Sequence, residues 1–110
     1  MANVFKNSIT GSIGTVTTGV YTTPVSSVAT VIGVNLANII TENISVDIQL
    51  FDSSQSVSRF LIKDALITPG ASLVAVGGDQ KVVLEEGDEL RVTSSAPAST
   101  DVIISVLEIS

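Results

Sequence analysis

KVVLEEGDELRVTSS, residues 81–95, sets four acids, Glu85, Glu86, Asp88 and Glu89, around a single Gly87. Two structures can be built on such a run. A calcium loop would gather oxygen ligands at about 2.3–2.6 Å, placing them at alternate positions and ending in a bidentate Glu. This run lacks that spacing. As strand, turn and strand it is complete: Leu84 ends one extended segment, Gly87 takes a positive-φ turn position, and Leu90 and Val92 open the next strand. Solvated acids at a tight turn also keep strand edges from sticking. Glu85, Glu86, Asp88 and Glu89 are therefore weak metal candidates, and no metal or other cofactor is expected. Exchanging all four for amides is expected to leave the fold nearly intact.

Period-two patterns continue on both sides of this stretch. Ile44, Val46, Ile48 and Leu50 alternate with Ser45, Asp47 and Gln49, the signature of a half-buried antiparallel strand. Val28, Thr30, Ile32, Val34 and Leu36 form a second apolar face. Further strands are expected near 3–9, 14–22, 57–67, 72–76, 81–84, 89–95 and 101–109. Gly11, Gly14, Pro24, Asp52-Ser53-Ser54, Pro69-Gly70, Gly77-Gly78 and Pro97 punctuate them. The apolar Thr30–Ile40 segment is the best helical rival, but its β-branched residues and Gly33 oppose it. About eight or nine short strands at intervals of roughly ten residues indicate one all-β domain over 1–110. The expected architecture is an antiparallel sandwich, jelly-roll-like in outline. The Thr/Ser/Gly-rich residues 7–23 are expected to be irregular or to reach towards a neighbour, with 1–23 as an extended N-terminal segment contacting it.

The closing DVIISVLEIS is apolar on both faces, with Ile103, Leu107 and Ile109 on one and Val102, Ile104 and Val106 on the other. A strand with two apolar faces needs both covered. One face of a small sandwich meets the core, so the other is expected to meet another subunit. All six residues are thus interface candidates; a central strand covered by a loop is the competing reading. Mean hydropathy is +0.55 for an acidic 110-residue chain, which favours self-association.

Composition removes several functions. The chain has no His and no Cys, so the commonest general base and metal ligand is missing, along with every thiolate. Net charge is -6, and Lys6, Arg59, Lys63, Lys81 and Arg91 are scattered singly; nucleic-acid binding needs clustered cations. MANVFKNSIT lacks a basic region followed by an apolar run, so no signal peptide is expected. No apolar stretch approaches the roughly 18 residues of a membrane helix. Asn43-Ile44-Ser45 matches a glycosylation sequon but has no meaning without secretion. Gly77-Gly78-Asp79 lacks the Lys-Ser/Thr of a phosphate loop and reads as a turn. Four aromatics in 110 residues cannot easily floor a sugar cleft for paired carboxylates, and no Ser or Thr has a base to activate it. The expectation is a protein without catalytic activity. Tyr21 and Phe51 are open to two readings, as contact residues of a binding module or as packing at strand ends.

The order of segments carries a resemblance. MANVFKN (1–7), VYTTP (20–24), TVIGVNLANI (30–39), ISVDIQL (44–50), residues 67–95 and DVIISVLEIS (101–110) together resemble small virion structural proteins of tailed phages, especially marine cyanophages with contractile tails. Residues 67–94 and the final strand are its most specific parts. LEEGDEL is also similar to the Gly-Asp turn of cupin barrels, which hold metal largely through histidines that this chain lacks. The phage resemblance implies a β-sandwich attached in many copies to a virus particle, on the head shell, neck or tail. It brings no catalytic residue. The implied partners are the chain itself, in a closed homo-oligomer for which analogy favours a trimer, and the major capsid, neck or tail proteins. A decoration or accessory role in a virion assembled in the host cytoplasm follows from it. Negative charge disfavours a place beside packaged DNA. A host-surface or glycan-binding module displayed on the particle is the alternative.

Overall fold

A computed structural model describes residues 3–77 and 81–110. It contains β1 (Asn3–Ile13), β2 (Thr18–Thr22), β3 (Val28–Asn38), β4 (Ile44–Asp52), β5 (Val57–Ile67), β6 (Ser72–Val76), β7 (Val82–Leu84), β8 (Glu89–Ser94) and β9 (Thr100–Ile109). Among the described residues there is no helix. The glycine turn expected at 77–79 lies outside them beyond Gly77.

The nine strands form two antiparallel sheets, β1-β9-β3-β6 with β7 also on β3, and β2-β8-β4-β5. The order is that of one long hairpin folded over itself. Taking β6 and β7 as one interrupted strand on β3, the rungs run β1 with β9, β2 with β8, β3 with β6/β7, and β4 with β5. Folding this ladder places alternate rungs in opposite sheets and brings β9 beside β3 and β8 beside β4. This is the jelly-roll arrangement.

Two expectations need correction. Residues 7–23 are ordered, as the end of β1 and β2, which are edge strands of the two sheets. Several of their hydroxyls have partners: Ser8 Oγ donates to Val20 O at 2.8 Å, and Thr17 and Thr93 share a 2.8 Å bond. The second strand begins at Thr18 rather than residue 14, because Gly14 turns the chain against the β8–β9 loop. A Cβ there would lie 3.2 Å from Ala98 N.

The Gly87 turn has a different job from the one a hairpin would give it. β7 belongs to the first sheet and β8 to the second, so 85–88 carries the chain across the sandwich. Gly87 has φ 81°, the left-handed region glycine favours. Leu84 and Leu90 on either side are both fully buried, in a core that also takes Leu36, Ile44, Val46, Ile48, Val92, Val102, Ile104 and Val106. Each such side chain contributes about 1.5–3 kcal/mol over leaving it in water. At the opposite end of β3, Asn38 satisfies the β3–β4 turn. Its amide donates to Glu42 O and Ile67 O, and its Oδ1 accepts from Ile40 N.

Candidate functional site

The structure divides the four acids of the run. Asp88 is buried and turns back into the crossover, where Oδ2 accepts from Glu85 N at 2.9 Å and Oδ1 from Ser53 N at 3.1 Å. Glu86 takes the Ser26 amide, and Glu89 accepts from Arg91 and, at 3.1 Å, from Thr22. Glu85 points to solvent. These carboxylates bond separate backbone and side-chain donors. No group of three His, Cys, Asp or Glu able to hold a metal occurs among the described residues. Asp88 stands apart from the other three, because its carboxylate takes two backbone amides at the loop that joins the sheets.

One polar cluster escaped the sequence reading. Glu108 lies on the inward face of β9, opposite Val4 of β1 and Ala29 of β3. It is buried, accepts the Tyr21 hydroxyl of β2 at 2.5 Å and pairs with Lys6 of β1 at 3.1 Å. The cluster therefore ties the two sheets. The Tyr21 hydrogen bond, aided by Lys6 and opposed by burial, holds the Glu108 carboxyl below its usual range. Burial first, then the bond to Glu108 and its charge, pushes the Tyr21 phenol above its ordinary value. Tyr21 is thus occupied inside the sandwich. Alternation in DVIISVLEIS shows Glu108 on the same face as Val102, Ile104 and Val106, the signal that could have placed it inside.

Those three valine and isoleucine residues are at most 1% exposed. They are core residues, so of the six interface candidates only Ile103, Leu107 and Ile109 face away from the core. These point outward from the middle of the first sheet, and their neighbours match them. Phe5 and Ile9 of β1 stand opposite Leu107 and Ile103. Val28 of β3 faces Ile109, and Val74 of β6 and Val83 of β7 extend the same surface. Exposure reaches 74% for Phe5, 70% for Ile9 and 66% for Val74. Among the described residues, Asp101 is the one ionisable side chain at outward positions of these strands. Four strands of about ten residues cover roughly 34 by 19 Å, about 650 Å². A standard protein interface takes about 800 Å² per partner.

The second sheet presents the opposite chemistry. Its outward positions include Asp47, Gln49, Glu89, Arg91 and Thr93; Asp47 accepts from Asp64 N at 2.7 Å, Glu89 pairs with Arg91, and Thr93 bonds Thr17. The Arg91 guanidinium covers Phe51, 4.2 Å from the ring centroid. Phe60, half exposed, has the Lys63 ammonium 4.7 Å above it. Beside Phe60 a hollow of about 280 Å³ is lined by Leu50, Asp52, Gln55, Val57, Arg59 and Leu61.

No protein-family model and no curated protein matches the sequence. Solved structures do share the fold. A chain of the T13 particle of infectious bursal disease virus matches with a TM-score of 0.57 and 9% identity, over 96% of this chain and 30% of the viral one. A protein of Bacillus endospore appendages, described as disulfide-linked pili, matches with a TM-score of 0.53 and 14% identity, over 98% of this chain and 88% of the other. At these identities the likeness is one of fold. The chain spans about 30% of the viral protein's length.

Proposed function

We propose that this protein is a non-enzymatic structural component of a phage virion, present in many copies on the head, neck or tail. In this reading it stabilises the particle through symmetric contacts between its own subunits. The observation that carries the proposal is the outward face of the first sheet: broad, apolar and nearly free of charge on a chain of net charge -6. Of the described acids only Asp101 lies on this face, so two copies repel in most orientations but little face to face. A second copy is the natural occupant, because the surface is self-complementary and its footprint approaches that of a stable interface. Closed rotational symmetry, with a trimer as the first order to test, would cover Ile103, Leu107 and Ile109 without leaving a sticky end. The structural neighbours come from a viral particle and from pili, both multi-copy assemblies. The disulfide linkage of the latter is not open to a chain without cysteine.

Phe60 and its hollow favour a second reading, a host-surface or glycan-binding module displayed on the particle. Exposed aromatics beside polar groups are what such a module needs. Much of the polar lining is committed, however: Asp52 accepts from Ser54 N and Oγ and holds its own turn. Counting copies in purified particles by quantitative mass spectrometry tests the first reading. A stoichiometry matching shell, neck or tail symmetry is expected; absence from washed particles would overturn it.

A further inference from the structure

The apolar face ends at β1, and the free edge of that strand differs from the other edges of the sandwich. β2, β6 and β7 are edge strands of 5, 5 and 3 residues, and both β2 and β6 slip register against their neighbours. β5 is longer, but its register with β4 shifts twice, Asp64 sits at φ 55°, and Arg59 and Lys63 are exposed along it. Shortness, bulges and charge are the devices that stop an edge from accepting another strand. The stretch of β1 from Asn3 to Thr10 is neither short nor bulged. It runs in unbroken register with β9, contains no proline, and has one charge, Lys6, drawn across to Glu108.

We propose that β1 is a docking edge for the β1 of a second copy, paired antiparallel about a twofold axis so that two sandwiches share a continuous sheet. This rests on the self-association proposed above and gives it a second, separate contact. Symmetry restricts the register. With the axis perpendicular to the sheet, both strands present the same face to the same side, so each residue meets one of its own face. One residue must therefore meet its own copy. Centring the pair on Asn7 uses nearly the whole regular run: Val4 meets Thr10, Phe5 meets Ile9, and Lys6 meets Ser8. The two most exposed apolar side chains of the strand then cover each other. The Asn7 amides, each donor and acceptor, face one another. Centring on Lys6 would oppose two ammonium groups. Centring on Ser8 would set Phe5 against Gly11, beyond the regular run. An unrelated strand would have to supply this complement, whereas a second copy already has it.

The cysteine-free chain makes the test clean. Directly opposed residues of an antiparallel pair have Cα atoms about 4.5–5.5 Å apart, within the roughly 4.4–6.8 Å a disulfide spans. Full-length Asn7→Cys, treated with oxidised glutathione, is expected to form covalent dimers at least about ten times faster than Asn3→Cys. The two copies of residue 3 would lie on the order of 27 Å apart. In the wild type, the β1 amides that face away from β9 are expected to be protected from hydrogen exchange in the oligomer, a readout independent of any substitution. If light scattering shows an oligomer but Asn7→Cys links no faster than Asn3→Cys and those amides exchange freely, the edge proposal is overturned and face-mediated association stands. A wild-type monomer without linkage at Asn7 overturns both.

Discussion

Replacing Tyr21 by Phe removes one hydroxyl and, with it, the direct hydrogen bond between β2 and the buried Glu108 of β9. A hydrogen bond to a charged group contributes about 1.5–3 kcal/mol. The Lys6 pair adds about 0–1 kcal/mol, because Lys6 is half exposed and screened. Tyr21→Phe should thus destabilise by about 1.5–3 kcal/mol, or roughly 6–12 °C in Tm at about 4 °C per kcal/mol for a domain of this size. Glu108→Gln should cost a similar amount, since an amide cannot serve both the phenol and the ammonium as the carboxylate does. The double variant tests whether the contact itself is responsible. Urea unfolding of the four proteins at pH 7 and one fixed subunit concentration is expected to give a coupling of about 1–2 kcal/mol. Strict additivity, with coupling below about 0.3 kcal/mol, would refute the claim that this bond holds the sheets together.

The same cluster sets a pH window. Glu108 has a lowered folded pKa, so its contribution is present above the unfolded carboxyl value near 4.5 and fades as pH falls through the folded one; Tyr21 has a raised pKa, so its contribution is present below about 10 and fades as pH rises. Urea midpoints should therefore drop at both ends, and Tyr21→Phe should flatten the alkaline limb. Asp88→Asn should cost about 1–3 kcal/mol through the Glu85 and Ser53 amides, whereas Glu85→Gln should stay within about 0.5 kcal/mol; chelators should leave both melting curves unchanged. Ile104→Ala, at 0% exposure, should lose about 2–5 kcal/mol in the same assay.

The strands were legible because alternation is a direct print of the pleat: Ile44, Val46 and Ile48 are buried between outward Ser45, Asp47 and Gln49. The turn at Gly87 was legible from residue type, since few residues other than glycine accept its φ. What joins across that turn was not. A tight acidic turn looks the same whether it closes a hairpin or carries the chain between sheets, and only the pairing of β7 with β3 and β8 with β4 tells them apart. In the last strand, two apolar faces were visible, but which one meets the core depends on where the opposite sheet lies. Glu108 held the answer, because its partners Tyr21 and Lys6 are distant in sequence and come near only through the folded hairpin. The protected and unprotected edges were likewise hidden, because strand order is a long-range property.

Sedimentation equilibrium of the wild type beside Leu107→Asp tests the central claim most directly. Leu107 lies on the outward face, so the substitution puts a charge where two copies would meet while leaving the core intact. The account requires a wild-type mass that is a multiple of 11.3 kDa greater than one, and a Leu107→Asp variant that keeps its β circular dichroism yet loses the face contact, sedimenting as nothing larger than the edge-paired dimer. A wild type that remains a monomer at the concentrations reached in assembly, or a variant that stays fully associated, would contradict it.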